Sequence, residues 1–370
     1  MRIALVAESF LPRVNGVSNS VIRVTRHLRA AGHEILIIAP DSYTAEQFED
    51  VPVARLNSIV MPGIQATDVV IGNTESLSRH LRAFRPDVVH LASPFMLGRI
   101  AVRSARNLRI PTVAVFQTDV AGFAKDYGLS VVAGLADFVI RRVHGKADLT
   151  LVPSSDSARY LRELGVTNIK HWGRGVDAEM FNPRWRDDST YAREGRTVVG
   201  YVGRVAPEKN IEILRHLSQD ASIKLVVIGD GPSRAELARL LPDAQFTGML
   251  GGTDLSRHMA SLDVLLATGE RETFCQVIQE GMAAGLPVVS PAVGGPLDLI
   301  DQGVTGLFYQ PGNGAHMRTV VHRLVQDPAL RSAMGAAGRA RVEHRTWQAI
   351  GDELIGHYES VLHPVTALAG

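Results

Sequence analysis

Short apolar runs rich in β-branched residues alternate with longer amphipathic stretches along this chain, and the alternation occurs in two successive series. This pattern is typical of strand and helix units that build a parallel sheet with helices on both faces. The first series predicts strands at residues 2–7, 34–39, 88–91, 112–117 and 149–153. The second series predicts strands at residues 197–202, 224–228, 244–247, 264–267 and 287–290.

The two series predict two doubly wound, Rossmann-like α/β domains, and a chain of 370 residues is long enough for both. Periodicity breaks near Gly173, which indicates the linker. We therefore expect domains at residues 1–175 and 176–346, with a closing helix in 347–370 that returns to the first domain. Because ligands bind beyond the carboxyl ends of parallel strands, the domains should face each other across a ligand-binding cleft.

Composition excludes several other classes of protein. Hydrophobic residues make up 45% and charged residues 21%, as in a soluble globular protein, and the net charge of +1 gives no reason to expect nucleic-acid binding. The lone cysteine, Cys275, rules out an internal disulfide and favours a reducing, cytoplasmic location. The apolar start of the chain is too short for a signal peptide, and no apolar run approaches the ~20 residues of a membrane span. Any membrane contact should be peripheral.

Gly16 follows the first predicted strand and precedes a helix. A glycine there lets backbone N–H groups approach an anionic ligand at the positive end of the helix. The alternative is an ordinary turn glycine.

The second domain opens with a strand, Gly203, Arg204 and a helix predicted to begin at Pro207, with Lys209 in its first turn. Two cations beside a helix start can neutralise a diphosphate, the arginine through its planar fork and the lysine as a point charge. Solvated surface charge is the alternative, although cations are disfavoured at that helix end unless an anion is bound.

Residues 269–287 are the most informative segment. Thr273 and Gln276 have the spacing of a capping box, which places Glu272 just before a helix and Glu280 within it. The two carboxylates would then lie about 10 to 12 Å apart along the axis. One could bind sugar hydroxyls and the other ribose hydroxyls of a nucleotide sugar, unless both are solvated residues of an amphipathic helix.

Other residues near this segment carry weaker indications. Gly294 and Gly295 would permit close approach to a sugar or phosphate, and Cys275 is expected to be a packing position rather than a nucleophile. The histidines form no metal-like cluster and no Asp-any-Asp motif occurs, so we expect no cofactor and expect the cations to replace a divalent metal.

Taken together, these motifs resemble those of GT-B retaining glycosyltransferases of the family-four type over the whole chain. The resemblance implies a sugar site at Glu272, a ribose site at Glu280 and diphosphate contacts from Gly203, Arg204 and Lys209. It also implies a first-domain phosphate loop at Gly16. The remaining donor-binding residues that it implies are Gly248, Met249, Leu250, Thr273, Phe274 and Cys275.

Segments 8–12, 15–21, 116–120 and 272–276 resemble, more narrowly, the actinobacterial GDP-mannose-dependent α-mannosyltransferases. This implies mannose transfer from GDP-mannose to a glycolipid at the inner membrane face. A UDP-sugar donor, a nucleotide-sugar epimerase and a non-catalytic nucleotide-sugar binding protein remain as alternatives.

Gln117 departs from the family pattern, because many members carry histidine there. A titrating imidazole is therefore not expected at this position. Gln117 and the nearby carboxylate Asp119 are still candidate catalytic residues, together with Arg204, Lys209 and Glu272. Asp119 could equally be a loop cap.

Two basic, amphipathic stretches of the first domain, residues 78–85 and 131–146, favour an anionic membrane surface as a partner. Solvated helix faces are the alternative.

Overall fold

The computed structural model describes residues 1–12, 16–42, 45–61, 67–71, 73–92, 94–118 and 130–363. The chain divides into two compact units, one formed by Met1–Gly173 with Trp347–Gly370 and the other by Arg174–Thr346. Each unit contains its own parallel sheet covered by helices, so the predicted fold class is confirmed.

The first unit is built on an eight-stranded sheet with the order β10-β9-β8-β7-β1-β2-β4-β3, in which only the short β3 runs antiparallel to its neighbour. A separate hairpin pairs β5 with β6. The strands are β1 (Arg2–Ala7), β2 (Glu34–Pro40), β3 (Gln47–Phe48), β4 (Val51–Leu56), β5 (Ser58–Met61), β6 (Thr67–Val70), β7 (Val88–Ala92), β8 (Thr112–Val115), β9 (Leu149–Val152) and β10 (Ile169–His171).

Helices cover both faces of this sheet, which explains why its central strands read as continuous apolar runs. The helices described in this unit are α1 (Gly16–Ala30), α2 (Thr74–Phe84), α3 (Met96–Asn107), α4 (Ser130–His144), α5 (Ser155–Glu163) and α12 (Trp347–Leu362). One core cluster joins β1 to α1 and α12, and another joins the opposite face of the sheet to α2, α3 and α4.

The second unit contains a six-stranded, fully parallel sheet with the order β13-β12-β11-β14-β15-β16. This is the Rossmann order, in which the chain switches direction between the two central strands. The strands are β11 (Thr197–Val202), β12 (Ile223–Ile228), β13 (Gln245–Gly248), β14 (Val264–Leu266), β15 (Val288–Pro291) and β16 (Gly306–Tyr309).

The helices of the second unit follow its strands. They are α6 (Arg234–Leu240), α7 (Gly252–Ala260), α8 (Gln276–Ala283), α9 (Pro296–Leu299), α10 (Gly314–Gln326) and α11 (Pro328–Val342). Three 3-10 turns complete the secondary structure described in this unit, at Pro183–Trp185, Pro207–Lys209 and Ile211–His216.

The carboxyl ends of β11, β12 and β13 are tied to one another through glycines. The N–H of Gly203 donates to the carbonyl of Ile228 at 2.9 Å, and the N–H of Gly229 donates to the carbonyl of Gly248 at 2.9 Å. A Cβ atom on Gly229 would lie 1.9 Å from the carbonyl oxygen of Gly203, so the two loops can approach this closely only without a side chain. These contacts fix where the loops beyond the sheet begin.

Helix α12 completes the core of the first unit, although it follows the second unit in sequence. Its residues Ile350, Leu354 and Tyr358 are buried, and the indole N–H of Trp172 donates to the carbonyl of Ile350 at 2.9 Å. The hydroxyl of Tyr358 lies 2.7 Å from Nδ1 of His90 in β7. Burial lowers the pKa of His90 to about 3, so this imidazole stays neutral at physiological pH.

A membrane-crossing helix would need a longer and more apolar stretch than any helix among the described residues offers.

The Tyr358–His90 contact predicts a stability effect. Replacing the hydroxyl (Tyr358→Phe) leaves a buried ring nitrogen without its partner, which should lower the free energy of unfolding by about 1 to 3 kcal/mol in denaturant titration. The double variant Tyr358→Phe with His90→Leu should lose less than the sum of the two single variants. Additive losses would show that the two side chains do not stabilise each other.

Candidate active site

Candidate residues of the second unit lie together at the switch point of its sheet, between β11 and β14. The loop after β11 and the loop after β14 leave neighbouring strands towards opposite faces, which opens a crevice at the carboxyl edge of the sheet. Gly203, Arg204 and Lys209 lie in the first loop, and residues 272–275 lie in the second. The structure therefore brings the predicted cations and the predicted sugar-binding loop to the same crevice.

Lys209 and Glu272 connect these two loops directly. The Nζ atom of Lys209 lies 2.6 Å from Oε1 of Glu272, and the side chains are only 28% and 18% exposed. The hydroxyl of Thr268 donates to the carbonyl of Lys209 at 2.5 Å and so holds the lysine backbone as well. The lysine is thus anchored at both its backbone and its ammonium group.

The ionisation of Lys209 follows from this pairing. Burial lowers its pKa, but the charge and hydrogen bond of Glu272, with a smaller contribution from Glu208, outweigh burial and leave the pKa above its ordinary value. The ammonium group stays charged at physiological pH. Since an ammonium has three N–H donors, Lys209 can hold Glu272 and still donate to an anion in the crevice.

Arg204 is the more exposed of the two cations. Its side chain is 41% exposed, and its Nη1 atom lies 3.2 Å from Oε1 of Glu208. Its partner Glu208 is only 9% exposed, and because a guanidinium has five N–H donors, Arg204 can keep this contact and still donate to a bound anion. The hydroxyl of Tyr201 donates to the carbonyl of Arg204 at 2.7 Å and fixes its backbone.

The prediction of a helix starting at Pro207 is wrong. Pro207–Lys209 forms a single 3-10 turn, which Asn210 ends in the left-handed conformation at φ 49°. A second 3-10 segment follows. Aligned peptide dipoles of an α-helix therefore do not act at Lys209, and the positive potential there comes from the two side chains.

The predicted capping box is also wrong. The N-cap of α8 is Cys275 in the left-handed conformation at φ 71°, and no side chain caps it. Gln276 instead donates from Nε2 to the carbonyl of Gly175 at 3.0 Å. The separation of about 10 to 12 Å between Glu272 and Glu280 assumed helical rise between the two residues. Because α8 begins only at Gln276, the helical rise applies only from Gln276 to Glu280.

The remaining residues of this segment have distinct surroundings. Glu280 lies in the second turn of α8 and is half-buried. Thr273 is half-buried, and Phe274 packs into the core of the second unit. Burial raises the pKa of Cys275 well above its ordinary value, so its side chain is a neutral thiol, as expected of a packing position.

Gly294 and Gly295 pack closely against the backbone of the Glu272 loop. The N–H of Gly295 donates to the carbonyl of Glu272 at 2.7 Å, and a Cβ atom on Gly295 would lie 2.6 Å from the Cα of Phe274. A Cβ atom on Gly294 would lie 2.8 Å from the carbonyl oxygen of Glu272. The two glycines thus support the backbone of the Glu272 loop, and their approach to a sugar or phosphate stays a prediction.

The loop after β13 exposes an apolar side chain to solvent. Gly248 ends the strand with φ 75°, Met249 is 80% exposed, and Leu250 packs partly against the core. An exposed methionine beside a left-handed glycine provides a polarisable surface on which a planar ring can rest.

Three predicted residues belong to the first unit. Gly16 is the first residue of α1, it is exposed, and a Cβ atom there would meet nothing within 4 Å. Gln117 lies two residues after β8 and is buried. Asp119 lies outside the described residues.

The sequence analysis missed Glu270. Its Oε1 atom accepts from Nδ2 of Asn210 at 3.1 Å and from the N–H of Gly312 at 2.7 Å. Glu270 thereby connects the residue after Lys209 to the turn after β16. Its position two residues before Glu272 was the available signal, but nothing local indicates partners 60 and 42 residues away.

Glu8, at the end of β1, is a second residue whose role the sequence did not indicate. Its carboxyl group accepts from the N–H of Leu97 at the start of α3. Burial raises the pKa of Glu8 to about 8, although the backbone N–H groups of Leu97, Phe95 and Gly98 act in the opposite direction. Glu8 is therefore largely protonated at neutral pH and holds α3 against the carboxyl end of β1.

The described residues include no group of three or more His, Cys, Asp or Glu side chains placed to hold a metal ion.

Comparisons with known proteins agree with this geometry. Residues 14–180 match the sequence family Glycosyltransferase Family 4, and residues 184–341 match Glycosyl transferases group 1. A GDP-mannose-dependent alpha-mannosyltransferase of Mycolicibacterium smegmatis is 46% identical over 98% of this chain and 98% of its own length. The sulfoquinovosyl transferase SQD2 of Arabidopsis thaliana is 32% identical over 94% of this chain and 71% of its length. Among solved structures, sucrose-phosphate synthase from Thermosynechococcus elongatus superposes with a TM-score of 0.83 at 21% identity, covering 98% of this chain and 99% of that chain.

The contacts of Glu270 predict that it positions Lys209. Glu270→Ala removes the acceptor shared by Asn210 and Gly312 and should lower kcat by about 10- to 100-fold, because small displacements of a catalytic group are costly. Glu270→Gln keeps an acceptor oxygen for these two neutral donors and should retain most activity. The measurement is steady-state kinetics at saturating donor, with melting temperatures recorded for every variant.

Glu212→Ala is the matched control, since Glu212 is an exposed carboxylate just after Asn210. It should leave kcat unchanged. A Glu270→Ala enzyme with the kcat of this control would contradict the positioning role.

Proposed function

This chain belongs to the GT-B glycosyltransferases, and from that membership and its site we propose that it transfers mannose from GDP-mannose to a glycolipid, with retention of the anomeric configuration. The observation that carries the proposal is the Lys209–Glu272 pair, which sets a charged ammonium group beside a carboxylate in the crevice at the switch point. The donor assignment is supported by relatives that are 42 to 46% identical and are named GDP-mannose-dependent alpha-mannosyltransferases.

The two cations act on the leaving group. As the anomeric bond breaks, positive charge develops on the sugar and additional negative charge on the diphosphate. Lys209 and Arg204 are held by their backbones before substrate arrives, so they can stabilise this charge without reorganising. The acceptor hydroxyl attacks from the face that the diphosphate leaves, which retains the configuration.

The carboxylates position the two ends of the donor. Glu272 accepts hydrogen bonds from mannose hydroxyls while it keeps its contact with Lys209, and Glu280 accepts them from the ribose. Residues 273–275 supply backbone N–H groups towards the diphosphate, Gly203 lies beside it without a side chain, and the loop from Gly248 to Leu250 receives the base.

Residues of the first unit complete the site in this proposal. Backbone N–H groups at Gly16 approach the donor phosphates, and a Cβ atom at Gly16 would meet none of the described residues within 4 Å. Gln117 supplies an amide and Asp119 a carboxylate near the transferred sugar.

The rival functions differ in what they do with the donor. A sulfoquinovosyl transferase that is 32% identical indicates that related chains are named for a different sugar. A UDP-sugar donor is one alternative. An epimerase would return an altered nucleotide sugar, and a binding protein would return the donor unchanged. Gln117, where many family members carry histidine, is the feature that most favours a binding protein.

Access to a lipid acceptor is supported by one charged face of the first unit. Helices α2, α3 and α4 pack on the same face of the sheet and together carry seven arginines but only two carboxylates, whereas the whole chain has a net charge of +1. Two details differ from the expectation: His144 is buried and neutral, and Arg82 is paired with Glu75 at 2.6 Å. The stripe of Arg99, Arg103 and Arg106 on α3 adds charge that the sequence analysis did not count. We place the enzyme on the cytoplasmic face of the membrane.

A donor panel tests the proposed function. The protein is incubated with GDP-mannose, GDP-glucose or UDP-glucose and a lipid extract, and the products are measured by mass spectrometry and by NMR of the anomeric proton. We expect one hexose added to lipid, in the α configuration, with GDP-mannose as the preferred donor. Transfer only from UDP-glucose, an altered free nucleotide sugar, or an unchanged donor would each select one of the rival functions.

The cations are tested by Lys209→Ala and Arg204→Ala. Because both residues stabilise charge that develops in the transition state, each variant should lower kcat by roughly 10²- to 10³-fold at saturating donor. Arg215→Ala, which removes an exposed cation of the same unit, should leave kcat unchanged. If Lys209→Ala and Arg204→Ala raised only KM, the two cations would merely bind the donor.

A further inference from the structure

A concavity of about 510 Å³ lies on the first unit, at the amino edge of its sheet. The described residues that line it lie at the end of α4 and in the turns before β9 and β10: Phe138, Arg141, Arg142, Gly145, Lys146 and Gly165. Because α4 and α5 run antiparallel to the strands, their ends meet the amino edge of the sheet, whereas Gly16 and Gln117 follow carboxyl ends. This concavity is therefore separate from Gly16 and Gln117, the proposed site residues described in the same unit.

The cations around the concavity differ from those of neighbouring helices that pair with carboxylates. Arg82 on α2 and Arg159 on α5 each pair with a carboxylate of their own helix. Arg141, Arg142 and Lys146 are exposed, and no carboxylate among the described residues lies within ion-pairing distance of them. Three uncompensated cations around one hollow create a strong local site for an anion.

A fourth cation stands at the rim. The guanidinium of Arg106 on α3 donates to the carbonyl of Lys146 at 3.5 Å, which brings its charge beside the turn that follows α4. Four cations around one space favour a ligand group with two negative charges over a group with one. A phosphomonoester carries about −1.5 to −2 at pH 7, whereas a phosphodiester carries a single charge.

The shape of the hollow is set by Phe138 and by two glycines. The guanidinium carbon of Arg142 lies 5.0 Å from the ring centroid of Phe138, so the ring holds the arginine by a cation–π contact. A Cβ atom on Gly145 would lie 2.7 Å from the carbonyl oxygen of Arg141, and Gly165 has φ 84°. Both turns therefore have a conformation that suits glycine, and neither places a side chain in the hollow.

Apolar side chains lie next to these charges. Leu135 is 62% exposed and Phe138 is 48% exposed, and both lie on the stripe of α4 that ends at Arg142. Exposed leucine and phenylalanine beside a cationic hollow favour a ligand with an acyl or glycerol portion next to its phosphate. A soluble phosphate would leave these apolar side chains in water.

We infer that this hollow binds the phosphomonoester headgroup of an anionic phospholipid, with Leu135 and Phe138 entering the adjoining lipid. The inference rests on the proposed membrane association and goes further, since it assigns a discrete headgroup site rather than a general attraction to negative surfaces. The acceptor and the donor play no part in it.

Vesicle sedimentation tests the site. The full chain is mixed with phosphatidylcholine vesicles that contain phosphatidic acid or phosphatidylglycerol, with compositions adjusted until both have the same zeta potential. We expect about tenfold tighter binding to the phosphatidic acid vesicles, the effect of additional charge-assisted hydrogen bonds to a dianion. The double variant Arg141→Gln with Arg142→Gln should bind both vesicle types equally.

The matched control is Arg99→Gln with Arg103→Gln, which removes two exposed arginines from α3 outside the hollow. It should weaken binding to both vesicle types while keeping the tenfold preference, and circular dichroism should show both double variants folded. Loss of the preference in this control, or equal binding of the unmodified chain to both vesicle types, would overturn the headgroup site but leave membrane association intact.

Two further outcomes overturn the inference in different ways. No binding to either anionic vesicle would remove the membrane association on which it rests. Glycerol 3-phosphate is the soluble probe, measured by calorimetry without vesicles; binding as tight as that of the phosphatidic acid vesicles would assign the hollow to a soluble phosphate ester. Mannosyl transfer to a detergent-dispersed acceptor, measured in parallel, reports separately on the proposed function.

Discussion

The ion pair between Lys209 and Glu272 is the contact on which the arrangement of the second unit's site depends. It joins two loops that the strand order sends towards opposite faces of the sheet, and it keeps the lysine charged in a place where burial alone would favour the neutral amine. Neighbouring contacts support it from three directions: Thr268 holds the lysine backbone, Glu270 holds the following residue, and Gly295 holds the glutamate backbone. The site is thus organised before any substrate binds.

Features that depend on residues close together in the sequence were predicted, whereas features that depend on contacts between distant residues were not. The ten strands predicted from apolar runs all occur, with ends that agree to within two residues. They were predictable because strands buried on both faces of a sheet consist of continuous runs of apolar residues. Strands β3 to β6, β10 and β16 were not predicted. β3, β10 and β16 are edge strands, and β5 and β6 form a separate hairpin. The six-residue β4 lies second from the edge, and its alternation of buried and more exposed residues interrupts the apolar run.

The candidate site was predictable in its residues but not in its local backbone. The sequence indicated Arg204, Lys209 and Glu272, and the structure brings the lysine and the glutamate into contact. It could not show that Asn210 and Cys275 adopt left-handed conformations, since neither is glycine, so it predicted an α-helix and a capping box that do not form. Long-range hydrogen bonds impose these conformations, and sequence spacing does not record them. The sequence indicated the basic stretches 78–85 and 131–146, but it could not show that α3, with three further arginines, packs on the same face of the sheet.

The position of α12 has a consequence for how the molecule is made. A ribosome delivers the second unit, Arg174–Thr346, before it delivers the helix that buries Ile350, Leu354 and Tyr358 in the first unit. The second sheet can therefore close its core during synthesis, while the first waits with an apolar groove uncovered until the last helix emerges. The segment that is synthesised first is the last to finish folding, and a chain truncated before residue 347 would contain one complete domain and one that stays exposed to chaperones and proteases.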